Sequence, residues 1–458
     1  MSETKFAEDE STKRLANTPV FTLFMQTAVP ICIGMLVIGL YGVVDGIFIA
    51  RWVGADAIGA VSMVFPAQML ISSIGAMVAS GTAAILTRLI GEKKLPEAGQ
   101  IAGNSVLLVS VFSILFFVVG MWQLDSVLEF LAVPPVFYPL AYDYAQPIIV
   151  GGAIAVLLPV IGDVFRAEGK AKIMMLLMLT SSVLNIVLDY IFIVLLGWGV
   201  SGAAWATIIA QLVSLTIAVS LYLRGGTLVR FSFGLHLKFW GSILALGIPV
   251  LIAQMGMAIQ TGLVNYQFTF MATEEWISAY GILGRLSIFI ILPMIAMLIS
   301  FQTICGFNLG ASAFERVQES IKVSLTAMVV YSSLVTVALL VIPEWLLGIF
   351  TTESVLIDYG KVIIFATIWG LPLAGINMLA TGFYQAKGNA KLAMLYSLLR
   401  VVLIMSPLLL ILPHYFGMNG IFLAIVAADV FSAVITFLFC FKEYRNLSSS
   451  ELSYVDVK

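Results

Sequence analysis

Apolar residues along this chain do not alternate at the spacing of a half-buried strand or fall on one stripe of a surface helix. They fill runs of about twenty residues or more, separated by short polar stretches. A helix needs about 20 apolar residues to cross a hydrocarbon core roughly 30 Å thick, and its backbone groups must be satisfied internally there. Twelve runs meet that test, at residues 21–46, 58–81, 100–121, 139–163, 173–196, 202–223, 240–269, 277–304, 320–342, 359–384, 392–413 and 419–441. The 458 residues would suggest about three ordinary domains, yet no polar stretch is domain-sized. The pattern predicts one all-α, polytopic membrane body.

Composition sharpens this reading. The chain is 61% hydrophobic and 10% charged, which excludes a soluble globular protein of ordinary make-up. A formal charge of −2, from 23 Lys+Arg against 25 Asp+Glu, excludes a general nucleic-acid binder, which needs a concentrated basic excess. Where the charges fall matters more. If the polar first twenty residues, which lack the form of a signal peptide, stay in the cytosol, nineteen of the 23 basic residues collect on the cytosolic side. The other side holds Arg51 and Lys361 among several acids, as the positive-inside rule requires. Both termini are then cytosolic. Cys32, Cys305 and Cys440 sit far apart in apolar runs, without metal or disulfide spacing, and read as small hydrophobes.

The second half repeats the first. Sliding the chain by 219 residues brings Pro30 onto Pro249, Gly91 onto Gly310, Gly169 onto Gly388 and RAEGKAK (Arg166 to Lys172) onto QAKGNAK (Gln385 to Lys391). Near the end of each half the offset becomes 218, so that Gly199 meets Gly417. Six spans per half is an even number, so both halves enter from the same side, as parallel repeats do. The expected organisation is a cytosolic tail at 1–20, an N-lobe at 21–223, a cytosolic linker at 224–239, a C-lobe at 240–441 and a second tail at 442–458. The linker reads either as an ordinary loop or as a connection between lobes that rock.

Acidic residues at membrane depth are costly and stand as functional candidates. Counting at 1.5 Å per residue from the loops places Asp45, Asp189 and Thr207 in the outer half of the N-lobe. Asn185 is four positions before Asp189 and shares its helix face. Two carboxylates, an amide and a hydroxyl at one depth form an oxygen-rich cluster suited to a proton or a small hard cation. Asp45 has an alternative, as an interfacial carboxylate beside Arg51. Asp163 stands three residues before Arg166 and reads equally as half of a structural pair. Asp429 has Arg400 and Arg285 as intramembrane partners to choose between. Eight prolines inside the spans permit kinks. No Walker A pattern occurs, and His236 and His414, both expected in loops, make no nucleophile and base constellation. Transport driven by an ion gradient, rather than enzymatic catalysis, is what the residues suggest.

Several segments now resemble the multidrug and toxic compound extrusion (MATE) family, in its bacterial DinF-like and MepA-like branch. They are VVDGIFIARWVGADAIGAVSMVFP from Val43, FRAEGKAK from Phe165, LNIVLDYIFI from Leu184, GVSGAAWAT from Gly199, FQTICGFNLGASAFERVQESIK from Phe301, FYQAKGNAK from Phe383 and GMNGIFLAIVAAD from Gly417. The resemblance spans about residues 20–445 and rests on the order and spacing of these segments. It implies twelve helices in two six-helix lobes around a V-shaped cleft, in a monomer of the bacterial inner membrane. It also implies export of organic cations and other amphipathic drugs in exchange for protons or sodium, with no cofactor and no metal beyond such a sodium ion. By position, Asp45 matches the acid of the family's first helix, and Asn185, Asp189 and Thr207 match the amide, acid and hydroxyl of its N-lobe ion site. Members with a C-lobe sodium site carry acids in the seventh and tenth helices. Here the seventh has none and the tenth carries Asn377 and Gln385, which places coupling in the N-lobe. Asp163 departs from the family, whose similar sequences have an amide there. Arg285, Asn377, Gln385, Arg400, Asp429 and Asp163 remain as further polar or gating candidates. A lipid-linked oligosaccharide flippase, whose cleft would need several cations where only Arg285 and Arg400 qualify, and a non-transporting scaffold are the alternatives.

Overall fold

The computed structural model describes residues 10–447; most of the two expected tails, with Lys5 and Lys458, lies outside the described residues. Among the described residues the elements are all helical. Eleven helices are long and apolar enough to cross a membrane, and a bent pair completes twelve spans. In order they are Val20–Val53, Ala55–Gly91, Leu95–Trp122, the pair Tyr138–Val150 and Gly152–Ala167, Ala171–Leu195, Gly199–Leu223, Leu237–Met271, Glu274–Gly310, Phe314–Val341, Ser354–Lys387, Ala390–Phe416 and Met418–Arg445. All twelve expected spans are present.

Glycine chemistry sets the ends. The two repeat loops that matched best each turn on a glycine with left-handed backbone, Gly169 at φ 78° and Gly388 at φ 83°, the conformation that ends a helix without a Cβ penalty. In the second half, Asn389 then caps the next helix by accepting from the Leu392 amide at 3.1 Å. The shared heptapeptide is therefore shared turn chemistry.

Several boundaries differ from expectation, for physical reasons. The second helix runs to Gly91 rather than 81, because its last turns, from Gly81 through Ile90, are almost wholly covered by protein. Hydropathy does not distinguish a lipid-facing run from a protein-covered one. The fourth span bends by 46° at Gly151, between its prolines, and the tenth passes through a 3-10 turn at Ile368–Gly370. His414, expected in a loop, lies in the last turn of the helix Ser406–Phe416. Cys305 is buried, whereas Cys32 and Cys440 are half-buried.

Two compact units emerge. One comprises Gln26–Gly247 with the residues through Asn17; the other comprises Thr18–Met25 and the chain from Ile248 onward. In the first unit the seventh helix begins against the second, backbone to backbone. A Cβ on Gly81 would collide with the Ile243 carbonyl, and one on Gly247 with that of Met77. In the second unit Arg316 donates to the Thr18 carbonyl at 2.8 Å, and Ser300 donates to that of Phe24 at 3.2 Å.

The segment before the seventh helix is tied down along its length within the first unit. Val229 N donates to Glu168 Oε1 at 2.9 Å, Lys170 Nζ donates to the Gly226 carbonyl at 2.9 Å, and Ser232 N donates to the Gly99 carbonyl at 2.9 Å. Asn104 in the third helix clasps the segment from both sides, donating to Gly234 O at 2.8 Å and accepting from His236 N at 3.0 Å. Burial pushes the Glu168 carboxyl above the ordinary range, opposed by the Lys170 ammonium and the backbone amides of Val229 and Leu228.

Candidate functional site

The first and fifth helices end alike. In the first, regular α-helix through Phe48 widens into a π-helical turn at Ile49–Val53 and stops at Gly54, whose φ is 126°. In the fifth, Asp189 closes the α-helical part and a π-helical turn follows at Tyr190–Leu195. The two turns pack against each other. Wide turns of this kind re-aim side chains and recur at functional positions. Here they follow Asp45 and Asp189, two of the intramembrane acids of the first unit.

Those acids meet. The carboxyl groups of Asp45 and Asp189 are within hydrogen-bonding reach of each other. Each has a buried Oδ1 that no protein donor reaches among the described residues. Ionised carboxylates only accept hydrogen bonds, so their contact calls for a proton or a cation between them. The fifth and sixth helices are joined nearby, and Ser214 Oγ donates to the Leu177 carbonyl at 2.7 Å further along the pair. That packing places Thr207 beside Asn185. With its amide oxygen toward Thr207, Asn185 accepts from the hydroxyl at 3.1 Å and donates to Asp189 Oδ2 at 3.2 Å. Asp189 is 0% exposed, Asn185 1% and Thr207 9%. The four residues picked out by depth thus form one chain of contacts: Asp45, Asp189, Asn185, Thr207.

Two tyrosines that sequence reasoning passed over border the acids. Tyr41 and Tyr144 both lie close enough to feel the charges of Asp45 and Asp189, and Tyr144 donates to Gln68 Oε1 at 3.2 Å. Tyr41 was findable, since it precedes Asp45 by four positions on the same helix face. Tyr144, on another helix, gave no such signal. Thr207 also lines a small cavity of about 20 Å³ with Gln68, Ser72, Gly151 and Gln211, room for about one water molecule beside polar partners.

The other candidates lie elsewhere. Asp163 forms a bidentate pair with Arg166, through Nε and Nη2 at 2.8 Å each, buried in the last two turns of the fourth span. In the second unit, Asp429 pairs with Arg400 rather than Arg285. Arg400 Nη1 also donates to Gln260 Oε1 at 3.3 Å. Arg285 is exposed on the eighth helix. Asn377 ties three helices, donating to the Tyr396 carbonyl at 3.0 Å and accepting from Thr436 Oγ1 at 3.1 Å. Gln385 accepts from Gln302 Nε2 at 2.6 Å.

Twelve membrane-spanning helices in two repeated sets of six, with an acid pair held inside the first set, define an integral membrane protein of the two-lobed transporter architecture. The MatE family model matches residues 30–191 and 243–411, and the chain belongs to that family. It is 25% identical over 450 residues to the multidrug export protein MepA of Staphylococcus aureus (strain MRSA252), covering 97% of this chain and 99% of that one. The MepA of Staphylococcus haemolyticus (strain JCSC1435) is 24% identical over 455 residues, covering 98% and 100%. Among solved structures, a multidrug resistance MATE family transporter of the MOP superfamily in an outward-facing conformation superposes with a TM-score of 0.89 at 25% identity, covering 95% of this chain and 98% of that one. A MOP superfamily transporter from Pyrococcus furiosus superposes with a TM-score of 0.88 at 25% identity and the same coverage.

Proposed function

We propose that this protein is a secondary active multidrug exporter, exchanging cationic or amphipathic drugs for protons or sodium by alternating access. The observation that carries the reading is the contact between Asp45 and Asp189, extended through Asn185 to Thr207, deep in a helix bundle of the MatE family. Two neighbouring acids, each with a buried oxygen that no donor reaches, are a poor structural device unless something positive joins them. A proton or sodium ion does so and is reversibly exchanged. Drug and ion then favour different states of the transporter, as any ligand that shifts a conformational equilibrium must. The two tied π-helical turns give the ion site a direct mechanical link to the first and fifth helices.

The lobes in this reading are residues 21–223 and 240–441, with both termini cytosolic, in a monomer of a bacterial plasma membrane. The exported compounds and the surrounding lipid are its partners, and it catalyses no covalent step. A flippase for a pyrophosphate-linked lipid needs several free cations in its path. Arg400 is neutralised by Asp429, which leaves Arg285 as the one exposed member of the two.

The test is efflux of a fluorescent cationic dye from proteoliposomes under an imposed pH gradient or an imposed sodium gradient. Movement under one gradient, abolished in Asp189→Asn, is the expected result and names the ion. Efflux that persists unchanged in Asp189→Asn overturns the site, and no movement of any dye under either gradient overturns the activity.

A further inference from the structure

The repeat allows the acid site of the first unit to be located, residue by residue, in the second. At the 219 offset Asp45, Asn185 and Asp189 fall on Val264, Ile404 and Leu408, and at the 218 offset of the last span Thr207 falls on Ile425. In the second unit all four belong to one hydrophobic cluster, Val264 and Ile425 in its buried part and Ile404 and Leu408 packed against it. The site has been replaced there by apolar packing.

Charge has not left the second unit. It lies about one helical turn further along the last span, where Asp429 meets Arg400, four residues beyond Ile425. Asp429 is the counterpart of Gln211, and Gly370 is the counterpart of Gly151. In the first unit Gly151 and Gln211 line the small cavity that reaches Thr207. In the second, a Cβ on Gly370 would strike the Asp429 side chain, so the carboxylate fills the corresponding place. Gln260, which accepts from Arg400 and hydrogen-bonds Tyr280, is the counterpart of Tyr41 beside the first unit's acids. Arg400 lies ten residues into its span and Asp429 eleven into the next, about 15 Å from the helix starts at 1.5 Å per residue, near mid-membrane.

We propose that the Arg400 guanidinium is a tethered cation, permanently occupying a cation site of the second unit whose ligand is Asp429. This rests on the reading of the first unit as the site of an exchangeable ion. A guanidinium does not release its proton in a protein, so the positive charge held against Asp429 is permanent and takes the place of a mobile ion. Among the described residues, the charged or titratable groups acting on the pair are its two members and Tyr280. Coupling is therefore confined to one unit, and the second retains a masked acid that becomes a proton or sodium site when the guanidinium is removed.

The experiment uses full-length protein in detergent, with thermal unfolding followed across pH and across sodium at constant ionic strength. Asp189→Asn supplies the background, since the proposed function expects it to abolish the first unit's own response. Adding Arg400→Met should restore cation-dependent stability, with the folding constant rising by up to tenfold per tenfold increase in proton or sodium activity. Adding Asp429→Asn as a third change should abolish it again. A folded Asp189→Asn, Arg400→Met protein that responds to neither cation more than Asp189→Asn does overturns the proposal, as does an added response that survives Asp429→Asn. If Asp189→Asn responds to both cations as strongly as the wild type, the reading of the first unit fails, while the difference that Asp429→Asn makes still judges the pair. Should Arg400→Met not fold, Arg400→Gln, whose amide keeps a hydrogen bond to the carboxylate, is read in the same way.

Discussion

In the first unit two acids, an amide and a hydroxyl occupy four positions on the first, fifth and sixth helices; in the second unit the matching positions on the seventh, eleventh and twelfth carry Val264, Ile404, Leu408 and Ile425. Helix order, the glycine turns at Gly169 and Gly388, and the breaks at Gly151 and Gly370 are common to both. Packing volume and turn geometry thus suffice to build the six-helix arrangement, and the polar cluster adds nothing the fold requires. Polarity retained where the fold can do without it points to work other than stability, because a buried carboxyl with unsatisfied oxygens costs more than the apolar side chain that replaces it.

The strongest way to break that comparison is to make the first unit imitate the second. Asp189→Leu removes the acid and inserts the side chain found at Leu408. Gradient-driven efflux should fall to the level of empty liposomes, and when Asp45→Val accompanies the change thermal stability should be held or raised, since apolar replacement of a whole buried ionic group is often neutral or stabilising by about 1–4 kcal/mol. A variant that still transports would dissolve the distinction between the units. The reverse exchange, Val264→Asp, places a carboxylate at a position 0% exposed within the apolar cluster. The cluster around it is apolar and Arg400 is already paired with Asp429, so the expected loss is about 3–5 kcal/mol. Unfolding can be followed by the reactivity of Cys305, which is buried in the folded chain. An unchanged melting profile would mean that the second unit still accommodates a charge at the old site.

The sequence made the fold legible because lipid imposes one rule on every span, and twelve apolar runs with a charge bias at their ends satisfy it. Depth counting reached Asp45, Asp189 and Thr207 for the same reason, since rise per residue converts position into height, and the four-residue spacing to Asp189 added Asn185. What it could not supply was azimuth. Which face of the fourth helix Tyr144 takes, and whether Asp429 turns to Arg400 or Arg285, depend on how neighbouring helices rotate against each other. The strap across the third helix was illegible for another reason: Gly99 and Gly103 read as ordinary small residues, and only their approach to the carbonyls of Arg230 and Ser232 shows why a side chain would not fit.

Gly370 and Gly151 sharpen the comparison at a smaller scale. Gly151→Ala would press a methyl on the side chain of Ile208, which is flexible and borders a cavity; Gly370→Ala would press it on the Asp429 side chain, held by Arg400. Overpacking costs about 1–3 kcal/mol where neighbours cannot move, so Gly370→Ala should be the more destabilising of the two, by about 1 kcal/mol or more. Equal melting temperatures would show that the ion pair yields as readily as an isoleucine, and would argue against a rigid tethered cation.

The smallest effect concerns a charge outside the spans. Glu168 is fully buried under the strap, with its carboxyl raised above the ordinary range of about 4.3. A raised acid holds its proton more tightly folded than unfolded. Between the ordinary value and the raised one the folded state binds more protons, so stability falls as pH increases, by at most about 1.4 kcal/mol per pH unit. Glu168→Gln lacks this slope. The stability of the wild type relative to the variant should therefore decline as pH rises above about 4 and level off once the raised value is passed, as read from thermal unfolding of both proteins in parallel. A relative stability that instead rises with pH would mean that Lys170 and the amides of Val229 and Leu228 outweigh burial, and that the strap is held by the ionised carboxylate rather than in spite of its charge.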